Sequence, residues 1–72
     1  MKMYDYSKLL GRIKEKNLTQ AELSVKIGVS LSTLNAKISN SYQFKQNEIT
    51  KACEILEIDV RDIGAYFFTK RV

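Results

Sequence analysis

The sequence predicts an all-α fold of five short helices in one compact domain spanning residues 1–72. Apolar residues recur at three- and four-residue spacing, and capping residues stand at the ends of those runs. No linker, repeat or low-complexity segment separates them. A chain of 72 residues buries only about 60% of its unfolded surface, so the core has to be well packed.

Asp5 or Ser7 caps a first helix running to about Lys16, with Leu9, Leu10 and Ile13 as its apolar stripe. Gly11 lowers helix propensity there by roughly 1 kcal/mol against Ala, and is expected to mark the close approach of a neighbouring helix. Asn17-Leu18 ends the helix, with Leu18 anchored in the core. Thr19-Gln20-Ala21-Glu22 then forms a capping box, the Thr19 hydroxyl and Glu22 carboxylate each accepting the other's backbone N–H. The helix it opens carries Leu23 and Ile27, and Gly28 stops it in the position glycine prefers. After Val29, Ser30 caps a third helix over Leu31–Ser39.

A loop through Asn40-Ser41-Tyr42-Gln43 follows, from which Phe44 plugs the core. A fourth helix covers about Gln46–Leu56, where Ile49, Ala52, Cys53 and Leu56 form one stripe at i, i+3, i+4 and i+7. Cys53 therefore reads as a small core residue rather than a reactive thiol. Asp59 caps a short fifth helix from Val60 to about Tyr66, with Ile63 and Phe67 facing inward. The tail Phe68–Val72 has no helical pattern, and suits either a short extended segment or packing on a partner chain.

Composition excludes several function classes. The single Cys cannot form an internal disulfide, and with no His the chain cannot assemble a tetrahedral Cys/His zinc site. Ser-His-Asp and Cys-His catalysis lack their base. There is neither a phosphate-binding glycine loop nor a convergent carboxylate pair. The expectation is a binding module with no cofactor and no metal, not an enzyme. Met1–Leu10 carries Lys2, Asp5 and Lys8 and lacks the apolar core of an export signal. The longest apolar stretch, Ala65–Phe68, falls far short of the ~20 residues that cross a bilayer. A cytoplasmic protein without membrane contact is expected.

The net charge of +4 is unevenly spread. Residues 1–47 hold eight basic groups against three acidic ones, a net of +5, and residues 48–62 hold two against five, a net of −3. A basic front and an acidic back fit docking on phosphates by one face, and equally fit ordinary solvated helix faces.

Thr19–Asn40 is the most informative segment: a capped helix, a Gly-Val-Ser turn and a second capped helix. Leu34 and Ile38 must face the core. At ~100° per residue the opposite direction falls on Ala36, flanked by Ser32, Asn35 and Ser39, with Thr33 and Asn40 at the edge. That small, uncharged face suits a major groove about 12 Å wide. Asn35 can pair with an adenine edge, Ser32 and Thr33 with bases or phosphate, and Ala36 with a thymine methyl. Leu31 is half-exposed beside them. The competing reading is a plain solvent face of Ser, Asn and Ala.

The segments Leu18-Thr19-Gln20-Ala21-Glu22-Leu23, Lys26-Ile27-Gly28-Val29-Ser30 and Ser32-Thr33-Leu34 resemble the helix-turn-helix of the lambda-repressor/Cro-like family. The likeness covers nearly the whole chain, including Ile49 and Leu56-Glu57-Ile58. With Tyr66-Phe67-Phe68-Thr69-Lys70 it extends to small Cro-like regulators of Gram-positive phages and prophages. The resemblance implies a third helix reading operator DNA through Ser32, Thr33, Asn35, Ala36 and Leu31, although Leu31 stands where the family often has a polar residue. It also implies a phosphate-contacting Gln20. Ser30, Lys37, Ser39, Asn40 and Lys45 are the further phosphate candidates. Arg12, Lys14 and Lys16 are less specific, and Arg12 alternatively makes an internal ion pair.

The resulting expectation is a sequence-specific, double-stranded-DNA-binding transcriptional regulator of phage type. It would act as a homodimer, at least on DNA, joined through Tyr66, Phe67, Phe68 and Val72. The alternative is a protein-binding modulator that grips a phage repressor and blocks its access to DNA, motivated by the exposed Leu31 and the apolar tail.

Overall fold

The computed structural model describes residues 3–71. Five α-helices follow one another: α1 (Ser7–Glu15), α2 (Gln20–Ile27), α3 (Leu31–Ile38), α4 (Gln46–Leu56) and α5 (Ile63–Phe67). The all-α architecture is as predicted, with boundaries within a residue or two.

The Asp5 carboxylate accepts the N–H and the hydroxyl of Ser7, so α1 starts in a turn organised by Asp5. Tyr6 holds the cap position itself, without a side-chain bond. Gly11 departs from expectation. It is exposed, a Cβ there would meet nothing within 4 Å, and nothing in the structure explains the glycine. Both arms of the α2 capping box form, at 3.1 and 2.9 Å. Gly28 ends α2 at φ 83°, a backbone region that L side chains enter only at a penalty. Its N–H and that of Val29 both cap the Ser24 carbonyl. The Ser30 hydroxyl accepts the Thr33 N–H at 3.1 Å to open α3.

α1 clamps the far end of α4. Arg12 donates Nε to the Leu56 carbonyl at 2.8 Å and a terminal N–H to that of Glu57 at 3.1 Å, satisfying carbonyls the helix leaves without partners. Lys16 pairs with the Glu57 carboxylate, at a residue held at φ 54°. The fifth helix begins as a 3-10 turn, Val60–Asp62, capped by Asp59, and continues as α5 one residue past Tyr66.

The tail is extended but stays within the chain. The Asp5 N–H donates to the Thr69 carbonyl at 2.8 Å and the Arg71 N–H to that of Met3 at 3.0 Å, leaving Tyr4 and Lys70 as a single antiparallel bridge.

α2 packs on α3 and α4, and α1 on α5. The core is built from Tyr6, Leu9, Ile13, Leu23, Leu34, Leu56 and Phe67, with Ile27, Ala52 and Ile58 between them. Phe44 plugs it as expected, edge-on to Tyr6 and to Phe67 at 5.4 and 5.3 Å between ring centres. Cys53 is half-buried against this core, and burial pushes its thiol pKa up. The radius of gyration is 11.2 Å, matching the roughly 11 Å of a compact chain this long. No helix among the described residues is long and apolar enough to cross a membrane.

Candidate functional site

The α2–Gly28-Val29-Ser30–α3 segment presents the face on which most of the expected contacts lie. Leu31, Ser32 and Asn35 are exposed, as expected of a reading surface, while Thr33 and Ala36 are half-buried. The hydroxyls are organised among themselves. Ser30 donates to Thr33 at 2.8 Å and lies 3.2 Å from Ser32. Ser39 donates to the Ala36 carbonyl at 3.0 Å and lies 3.3 Å from Ser41. Gln20 is half-buried and Lys45 exposed.

Two expected phosphate contacts are corrected. Lys37 is buried, with 5% of its surface exposed, and its ammonium pairs with the equally buried Glu48 of α4. The stem that starts beside the outward face reaches inward, because a buried carboxylate without a cation would be far less stable. Burial alone would raise the Glu48 pKa. Hydrogen bonds from Lys37 and the Lys45 N–H, with the charges of both lysines, instead hold it below the ordinary carboxylate range. Glu48 is a residue that sequence reasoning missed. Its signal was its place three residues into α4, where an acid reaches back to accept the cap residue's N–H, as it does from Lys45 at 2.9 Å.

Asn40 is the second correction. At φ 71° it ends α3, and its side-chain amide closes both polar groups of one backbone unit. Oδ1 accepts the Tyr4 N–H at 2.8 Å and Nδ2 donates to the Tyr4 carbonyl at 3.0 Å. Because Tyr4 faces Lys70 across a bridge whose hydrogen bonds belong to neighbouring residues, its own N–H and C=O point away. Asn40 fills the place of a further strand.

The tail residues divide. Phe67 is 1% exposed and belongs to the core, which corrects its assignment to a dimer interface. Tyr66 is half-buried beneath the Lys8 ammonium, 4.9 Å from the ring centre. Phe68 is 51% exposed and leans edge-on against Tyr4 at 6.0 Å. Val72 lies outside the described residues.

These placements change the electrostatics of the face. Arg12, Lys16, Lys37 and Arg61 form ion pairs, and Lys37 was the one cation on α3. The outward face of α3 is neutral hydroxyl and amide, begun by Leu31 at 42% exposure, and α2 carries the exposed Val25. Such a surface can offer hydrogen bonds and apolar contact. The phosphate neutralisation on which duplex affinity rests cannot come from α3; Lys26 is exposed on α2, and Lys14 and Lys45 on neighbouring segments. Among the described residues no cluster of His, Cys, Asp and Glu is arranged to hold a metal.

Comparison with known proteins adds two findings. The profile of the DUF739 family, described as "Protein of unknown function", matches residues 2–70. The solution structure of the modulator of repression (MOR) of the temperate bacteriophage TP901-1 from Lactococcus lactis is 43% identical in sequence and superposes with a TM-score of 0.77. That match covers 90% of this chain and 88% of that one. No curated protein sequence matches.

Proposed function

The chain belongs to the DUF739 family, and we propose that it is a phage-type regulator acting through protein contact: it binds a repressor and blocks that repressor's access to DNA. The observation that carries this reading is the likeness, over nearly the full length of both chains, to a protein whose role is modulation of repression. The chemistry of the α2–α3 face supports it. Burying Lys37 against Glu48 removes the cation best placed for a phosphate, and Leu31 puts an apolar side chain at the start of α3. An apolar anchor at Leu31 beside the neutral Ser32 and Asn35 suits a protein interface better than a duplex. As a modulator the chain needs no operator of its own.

Ser32 and Asn35, exposed at the centre of α3, are the observation that favours the second reading, a helix-turn-helix docked in a major groove as a DNA-bound homodimer. The two separate by calorimetric titration of the purified protein into the DNA-binding domain of a temperate-phage repressor. The expected result is a saturable complex that Leu31→Lys weakens at least tenfold, the penalty of placing a charge in an apolar contact, with unchanged thermal stability. No heat with the repressor domain, together with tight binding to its operator DNA, contradicts the modulator reading.

A further inference from the structure

A second feature lies apart from the exposed apolar residues of α2 and α3. The paired termini and the α3–α4 loop enclose a cleft of about 540 Å³, within the size range of small-molecule sites. Tyr4, Tyr6, Phe44 and Phe68 supply aromatic walls, Tyr42 and Gln43 stand at its mouth, and among the described residues no charged side chain lines it. Tyr6 is 6% exposed, yet its hydroxyl has no hydrogen-bond partner among the described residues. Every side-chain N or O sealed from solvent there does have a partner. The Tyr6 hydroxyl therefore keeps some access to solvent, and Tyr6 is among the residues that line the cleft. A largely buried phenol usually finds a partner, and what enters the cleft, water or ligand, can supply it.

The neutral lining selects an uncharged ligand, since a charge taken from water would find no counterion. Aromatic walls favour a flat ring. An extended peptide is disfavoured on this side, because strand addition needs free backbone groups and those of Tyr4 are already closed by Asn40. We propose that this cleft is a receptor site for one small, uncharged aromatic molecule whose ring carries a hydrogen-bonding group directed at the Tyr6 hydroxyl. This assignment is independent of the repressor reading.

Indole, with two fused rings and one N–H, is the probe. Titration followed by two-dimensional NMR is expected to give saturable shifts centred on Tyr6, Tyr42, Gln43 and Phe44. Tyr6→Phe should weaken binding roughly fivefold, the worth of one hydrogen bond, and leave the melting temperature unchanged because the phenol bonds none of the described residues. Tyr42→Ala, at an exposed position where the fold is not at risk, should weaken it as well. Absence of saturable shifts, equal affinity in either variant, or much tighter binding of a blocked Gly-Trp-Gly peptide than of indole would each overturn the assignment.

Discussion

Lys37 and Glu48 stand eleven residues apart in sequence and join in one buried pair between α3 and α4. Removing one partner of such a pair leaves the other uncompensated. Lys37→Ala is therefore expected to lower stability by about 3 kcal/mol or more, read as a fall in the urea midpoint. A change confined to DNA affinity at an unaltered midpoint would restore the surface reading of Lys37. The pair also sets an acid limit. The folded Glu48 carboxyl titrates below its unfolded value of about 4.3, so its contribution is complete above that pH and is lost as pH falls through the folded value. In Glu48→Gln, stability should start lower and decline less between neutral and acid pH. A helical wheel places Lys37 only beside the outward face, and the direction of its long stem depends on a carboxylate brought in by another helix. Asn40 was misread for the same reason: its partner, Tyr4, is 36 residues away.

At the scale of the element, local chemistry wrote most of the fold legibly. The capping box, the Gly28 stop and the Ser30 cap each rest on bonds spanning a few residues, and their helices begin and end where the sequence predicts. Glycines separate what is local from what is not. Gly28 sits at φ 83°, so Gly28→Ala should cost about 1 kcal/mol. Gly11 is helical and faces open space, so Gly11→Ala should stabilise the protein by roughly 0.5–1 kcal/mol. Thermal melts of the two variants should move in opposite directions. A loss of stability on Gly11→Ala would mean that a close approach exists on that face after all. The tail was legible only as extended. Its pairing with the N-terminal segment joins the two ends of the chain, a contact that no local pattern encodes.

For the whole molecule, the uneven division of charge into a basic front and an acidic back misleads until the ion pairs are placed. Arg12 and Lys16 secure the end of α4, and Lys37 secures its beginning. Three of the cations counted toward a phosphate-binding face thus hold the bundle together. On the proposed modulator reading, the surface left on α2 and α3 takes the protein partner; the chain is similar to a phage modulator of repression. The most direct test uses a fluorescent operator duplex carrying its repressor, into which this protein is titrated at physiological salt. On the modulator reading, anisotropy falls to the value of free duplex as the repressor is captured, and the protein alone leaves the duplex unbound. An anisotropy that stays high, with the protein itself binding the duplex and losing affinity steeply as salt rises, would contradict it.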